Sequence, residues 1–179
     1  MLGDGGRGIR EHFGLEGADV DIWMGTLSKA LASCGGFIAG NRALVEYLKC
    51  AAAGFVYSVG MAPPLAAAAL ASLQRMLAEP QRCQALRERG RLFLELARAA
   101  GVDTGTSAGL SIIPAIAGSS INAGRLAEAL FVRGVNVQPI VYPAVAERAA
   151  RLRFFMSCEH TEDHIRSTVE ALSQEIGRL

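Results

Sequence analysis

The chain has 179 residues, 51% of them hydrophobic, with a formal net charge of +1 at pH 7. That length suits one large domain or two small ones, able to withdraw about 70% of the unfolded surface from water. The near-neutral balance excludes the electrostatic bias that would hold nucleic acid or an anionic membrane.

From the N-terminus, "GDGGRG" satisfies G-x-G-x-x-G at Gly3, Gly5 and Gly8. A dinucleotide fingerprint follows a strand, and only two residues precede Gly3, so a glycine-rich surface turn is predicted instead. A chain that opens on a turn also reads as a fragment whose preceding strand is missing. "MLGDGGRGIREHFG" has no apolar signal core, and no later run approaches a membrane span. "ADVDIWMG" predicts a short buried strand and "GGFIAG" a second, with Lys29 in the connection between them. "NRALVEYLKC" is helical. "PPLAAAALASLQRMLAEP" opens on proline, runs through good helix formers and predicts a packed helix ending before Pro80. A longer helix over 81–100 places Leu86, Phe93 and Leu96 on one side, and Gly101 stops it. Beyond Gly101 short strands alternate with helices: strand "LSIIPAIAG", helix "NAGRLAEALFVRG", strands "VNVQPIVY" and "RLRFFMS", and helix "TEDHIRSTVEALSQEIG". Thr161 can cap the last helix, with Glu162 and Asp163 in its first turn. A small α/β lobe from about residue 101 is the expected result.

Cys34, Cys50, Cys83 and Cys158 lie far apart without a C-x-x-C pair, which predicts reduced thiols in a cytoplasmic protein. No spacing of His, Cys and carboxylates suggests a metal site; His12 and His164 read as surface residues, and His160 as shaping a strand-to-helix turn.

Eighteen residues are Lys or Arg, and only Lys29 and Lys49 are lysines. Arginine cannot deprotonate and lysine can, so Lys29 is a candidate for amine chemistry, whereas Lys49 reads as a solvated charge at a helix C-terminus. The alternative for Lys29 is a side chain snorkelling at a strand end. T-x-x-K from Thr26 to Lys29 could suggest a penicillin-recognising enzyme, but those use serine and need S-D-N and K-T-G strings, which are absent. Arg151 and Arg153, two apart on a strand, point the same way and compete as carboxylate binders, the alternative being a solvated pair.

The blocks "GTLSKALASCGGFIAGN", "FVYSVGMAPPLAAAALASL", "GVNVQPIVYPAV" and "RLRFFMSCEHTEDHI", in this order, resemble the C-terminal half of the α-oxoamine synthases. This pyridoxal-phosphate family includes 8-amino-7-oxononanoate synthase, the member this chain is most like, 2-amino-3-ketobutyrate CoA ligase, 5-aminolevulinate synthase and serine palmitoyltransferase. The resemblance implies an α/β architecture of fold type I, aminotransferase-like. Residues 1–80 would be the C-terminal part of the cofactor-binding large domain, 81–100 a connecting helix and 101–179 the small C-terminal domain. It implies a homodimer with active sites at the subunit interface, pyridoxal 5'-phosphate as cofactor, and an amino acid and an acyl thioester as substrates. These condense with loss of carbon dioxide to a 2-amino ketone.

The resemblance also implies roles. Lys29 would attach the cofactor covalently and later move protons at the substrate α-carbon. Thr26 would contact the cofactor phosphate, with Ser28 a weaker candidate and a turn-stabilising role as the alternative. Ser58 would reach the partner subunit's phosphate, although Val59 stands where several members carry a second hydroxyl. Arg153, favoured over Arg151, would hold the amino-acid carboxylate. The family's ring-stacking histidine, pyridine-pairing aspartate and glycine-rich phosphate segment have no counterpart in this chain. The 179 residues are therefore expected to be inactive alone and to expose an unpaired strand edge and an apolar face. Other readings are a non-catalytic fragment or interaction module, and an aminotransferase-type enzyme of the same fold.

Overall fold

Gly25 lies directly opposite Phe37 in an antiparallel hairpin of β1 (Ile22–Thr26) and β2 (Gly36–Gly40). A β-carbon at Gly25 would sit 2.5 Å from the Phe37 ring, so any other residue there would push the ring off the strand. The computed structural model describes residues 2–179, in two units, Met1–Pro80 and Gln81–Leu179.

In the first unit the hairpin is preceded by α1 (Ile9–Phe13) and a 3-10 turn (Gly17–Asp19), and followed by α2 (Arg42–Ala51), α3 (Ala53–Val56) and α4 (Pro63–Ala78). The glycine-rich opening is a turn, as expected: Gly8 N–H donates to Leu2 O, and the Glu11 carboxylate accepts from Gly5 and Arg7 N–H at 2.9 and 3.0 Å. A carboxylate of the chain thus takes amides that a phosphate cradle would need.

The first strand begins at Ile22 rather than at Ala18. Asp19 Oδ2 accepts from Glu16 N–H at 2.7 Å, and Trp23 Nε1 donates to Gly17 O at 3.0 Å, which fixes 16–19 as a turn. Neither strand is buried within this chain, contrary to the apolar reading. Met24 is 77% exposed, and β2 is exposed at all five positions. The reason is topological: each strand pairs only with the other, and a two-stranded ribbon cannot enclose a core. The unpaired edges and the apolar face expected from the sequence are both present. The alanine-rich α4 opens at Pro63 as predicted but buries no residue, so its expected close packing is absent from this unit. Gly3 is the single buried position among the described residues of 1–80.

The second unit has a true core. α5 (Pro80–Ala99), β3 (Ile112–Ile116), α6 (Ser120–Val132), β4 (Gln138–Ile140), β5 (Arg151–Phe155) and α7 (Glu162–Ile176) build an antiparallel sheet of order β3-β5-β4 with helices packed on it. β5 shows the period of two: Leu152 and Phe154 are buried while Arg151, Arg153 and Phe155 point the other way. Phe93 of α5 meets Phe154 with ring centroids 4.9 Å apart, alongside Leu126, Leu130, Ile165 and Leu172. β4 is shorter than the predicted 135–142 because it is an edge strand carrying Pro139, which has no N–H to extend a ladder. Val141 O then accepts from Ala144 N–H at 3.0 Å and turns the chain.

The buried stripe of α5 is Cys83, Gly90, Phe93, Leu94 and Ala97; Leu86 and Leu96, expected on that face, are only half-buried. Gly90 sets the difference. A β-carbon there would lie 1.6 Å from Leu110 O, so the helix backbone runs against the 109–110 backbone and rotates its stripe towards that contact. Thr161 caps α7 as predicted, accepting from His164 N–H at 3.1 Å. His164 is exposed, and its Nδ1 returns the bond by accepting Thr161 N–H. His160 Nδ1 accepts from Ser157 N–H at 3.3 Å, the turn role its position suggested.

Glu175 accepts from Arg133 at 3.0 Å and Arg178 at 2.7 Å. Burial pushes its carboxyl up, but the hydrogen bonds and charges of Arg178 and Arg133 outweigh this and hold it below the ordinary glutamate value. A depressed folded value contributes stability that is present above the unfolded value near 4.3 and is lost as pH falls through the folded one. Glu175→Gln should therefore be less stable than the parent at pH 6, with the gap shrinking below about pH 4; denaturation midpoints measured against pH check this, and a gap independent of pH would be inconsistent with it.

Gly90→Ala should cost about 1–3 kcal/mol by overpacking. Gly124→Ala, in α6 where a β-carbon meets nothing within 4 Å, should gain up to about 1 kcal/mol. Urea denaturation followed by the far-ultraviolet signal compares the two directly.

Candidate functional site

The β1–β2 connection is a nine-residue loop, 27–35, closed at its base by one residue. Gly35 O accepts from Leu27 N–H at 2.9 Å, Thr26 Oγ1 at 3.3 Å and Ser28 Oγ at 3.4 Å, while Gly35 N–H donates to Ser28 Oγ at 3.2 Å. Gly35 has φ 102°, which a side chain would resist. Inside the neck Ser33 N–H donates to Leu27 O and Ala32 N–H to Lys29 O, both at 3.0 Å.

Lys29 stands on this loop, exposed, and its amine makes no hydrogen bond or ion pair with a described residue. Lys49, by contrast, pairs with Glu46 at 3.0 Å. Thr26 ends β1, three residues before the lysine, and its oxygen also accepts Ser28 N–H at 3.1 Å. It borders a cavity of about 720 Å³ lined by Met24, Phe37, Ile38, Leu48 and Phe55. Ser58 follows α3 and bonds locally, donating to Phe55 O at 3.4 Å. The hydroxyl hydrogens of Thr26 and Ser58 are thus held by long, weak bonds to neutral carbonyls, which a charged acceptor would outcompete.

Arg153 belongs to the other unit, on β5 opposite Gln138 and Pro114. Its guanidinium lies 4.9 Å from the Phe155 ring centroid and has no acidic partner among the described residues. It lines a cavity of about 580 Å³ with Asn136, Gln138, His160, His164 and Thr168. Arg151, the rival from sequence, is half-buried and its Nε donates to Ala149 O at 2.7 Å, so one edge of its fork is already used. The amides beside Arg153 and the tether from Ser33 Oγ to Leu65 O, at 2.7 Å, were not singled out from the sequence. Asn136 and Gln138 are legible only once β4 is paired with β5, and Ser33 and Leu65 are 32 residues apart with no shared pattern.

An exposed amine at a closed loop, with a hydroxyl three residues earlier, defines an amine-presenting site on an α/β scaffold. The family model for aminotransferase class I and II matches residues 3–172, and the chain belongs to that family. Its fold is that of the type I pyridoxal-phosphate-dependent transferases. It is 38% identical over 178 residues to an 8-amino-7-oxononanoate synthase of Symbiobacterium thermophilum, covering 99% of this chain and 45% of that protein. Among solved structures, 8-amino-7-oxononanoate synthase from Francisella tularensis superposes with TM-score 0.87 at 26% identity, covering 99% of this chain and 52% of that one. A serine palmitoyltransferase variant from S. paucimobilis, with a bound PLP–myriocin aldimine, superposes with TM-score 0.90 at 24% identity, covering 100% and 46%. The chain spans about half the length of the curated relatives it matches. No helix among the described residues is long and apolar enough to cross a membrane.

Proposed function

We propose that this chain carries the lysine and the carboxylate-binding arginine of a pyridoxal-phosphate-dependent acyltransferase of the α-oxoamine synthase type. The enzyme condenses an amino acid with an acyl thioester, releases carbon dioxide and yields a 2-amino ketone. The reaction is most like that of 8-amino-7-oxononanoate synthase, a step of biotin biosynthesis. The observation that carries the reading is the exposed, unpaired Lys29 amine on a hydrogen-bonded loop, in a chain 38% identical to such a synthase.

The residues fit the cofactor by the chemistry of their donors. Lys29, in its neutral form, would hold the cofactor through its amine. With that amine free, Lys29 would take and return protons at the substrate α-carbon. Thr26 Oγ1, which now donates to Gly35 O, would hold a cofactor phosphate oxygen, with Ser28 as a weaker second donor. Tyr57 and Val59 are 88% and 94% exposed, which suits Ser58 reaching the phosphate site of a second subunit in a homodimer. Arg153 receives the amino-acid carboxylate, because all its N–H donors are free of acids and carbonyls among the described residues, while the Nε of Arg151 is tied to Ala149 O. When bound, pyridoxal phosphate delocalises the electron pair left at the α-carbon. In this reading 1–80 is the C-terminal part of the cofactor-binding domain, 81–100 the connecting helix and 101–179 the small domain, in a cytoplasmic enzyme.

In the holoenzyme, Lys29→Arg should keep the charge and the fold yet abolish borohydride-fixed cofactor on this chain, read by mass spectrometry. Fixed cofactor at the parental level in that variant would assign the attachment to another amine.

Arg153→Ala should weaken amino-acid binding about ten- to a hundredfold, the loss of a charged hydrogen bond worth about 1.5–3 kcal/mol. Cofactor affinity should stay within about twofold. A larger loss of amino-acid binding in Arg151→Ala would transfer the role.

A further inference from the structure

We propose that Ser33 is a positioning residue for Lys29, tying the lysine loop to the start of α4; the role rests on the reading that Lys29 attaches the cofactor. The bonds at the neck, from Leu27, Thr26 and Ser28 to Gly35, join the loop to its own base and leave its far side free to swing. One bond reaches outside the hairpin. Ser33 Oγ donates to Leu65 O at 2.7 Å, the short end of the ordinary range for a hydroxyl and a carbonyl. Leu65 is in the first turn of α4, a 16-residue helix, so the anchor is a long regular element rather than another loop.

A second observation points to the same place. Ala32, immediately before Ser33, has φ 49°, and it is the one non-glycine residue in the described chain with positive φ. L-residues avoid this left-handed region, and such conformations persist where the surroundings over-determine them. Around Ala32 those surroundings are three bonds, its own N–H to Lys29 O, the Ser33 N–H to Leu27 O and the Ser33 hydroxyl to Leu65 O. The first closes the turn that starts at Lys29, the second ties it to the neck, and the third, which alone reaches outside the hairpin, opposes relaxation of Ala32 to negative φ. Without the Ser33 hydroxyl the turn can open and the Lys29 amine samples a wider volume. A single placed amine captures an aldehyde more readily than a wandering one, since less freedom is lost on attachment. Ser33 therefore acts on the cofactor only through Lys29.

The test compares parent, Ser33→Ala and Ser33→Thr in the complete enzyme after removal of cofactor. Amide hydrogen exchange over 27–35 reads the loop without any chemistry. Titration with pyridoxal phosphate followed by borohydride reduction, with mass analysis of the Lys29 peptide, reads attachment. Ser33→Ala should raise exchange at Leu27, Ala32 and Ser33 about two- to tenfold, the range for one neutral hydrogen bond, and raise the cofactor concentration for half-attachment by a similar factor. Ser33→Thr should restore both, and the melting temperature should be the same in all three. Parental exchange and attachment in Ser33→Ala, or no recovery in Ser33→Thr, would overturn the proposal. Lys29→Ala separates the two levels. If it loses all fixed cofactor while Ser33→Ala behaves as parent, the attachment reading stands and the positioning role falls. If Lys29→Ala still fixes cofactor as parent does, the attachment reading itself fails and takes this role with it.

Discussion

An amine that must meet an aldehyde at one point in space cannot be fixed by its own side chain, because whatever held the nitrogen would block it. In the proposed reading Lys29 meets this constraint: its amine has no partner among the described residues, and the backbone around it is fixed instead. Gly35 does most of that work, offering its carbonyl to three donors and its N–H to Ser28 Oγ. Its positive φ turns both groups into the loop, so a glycine six residues from the lysine is part of the apparatus that holds it. The hairpin beneath obeys a related rule, with Phe37 packed over Gly25 so that the two strands approach closely at the loop's foot.

The two units solve the burial problem in opposite ways. The second closes a core from one face of a three-stranded sheet and three helices, with Phe93, Ile113, Leu126, Leu130, Leu152 and Leu172 almost wholly removed from water. The first offers apolar strands and an alanine- and leucine-rich helix, and none of their residues is buried. Burial is worth about 25 cal/mol per Å² of apolar surface, so a unit without it lacks the main term that offsets chain entropy. Its hydrogen-bonded loop geometry is therefore local in origin. The neck at Gly35 and the tether at Leu65 are made by residues of 26–65 among themselves, without a supporting core.

This difference also explains how much was legible in the sequence. Where a core exists, periodicity reported it: the alternation of "RLRFF", the cap at Thr161 and the stop at Gly101 all correspond to observed features. It misjudged the α5 stripe because Leu86 and Leu96 look like core residues and Gly90 does not. Yet the helix sits where its backbone can come closest, and a residue with no side chain decides that. In the first unit the apolar strings of β1 and β2 read as buried strands because a string reports apolar content and not what covers it. The site divides in the same way. Lys29 and Thr26 were visible because rare residue types in a short spacing carry information. Ser33 was not, since its partner is a backbone carbonyl and backbone carbonyls are the same in every sequence.

The choice between Arg151 and Arg153 shows what the structure adds to a chemical expectation. Both sit on one face of β5, both carry the same fork, and spacing alone leaves them equivalent. The chain neutralises many of its other arginines with acids: Arg82 with Glu159, Arg89 with Glu162, and Arg133 and Arg178 with Glu175. Arg151 is held differently, its Nε donating to the Ala149 carbonyl at 2.7 Å, which takes one N–H of its fork and fixes where the other donors point. Arg153 has only the face of Phe155 at 4.9 Å, which stabilises a cation and steers its plane without using a single N–H. Its donors remain available in a cavity whose lining also holds Arg133, Asn136, Gln138, His160, His164 and Thr168 but no carboxylate to compete for them. In the proposed reading, an arginine oriented by an aromatic ring and without an acidic partner among the described residues is the one on β5 that takes the carboxylate with both prongs.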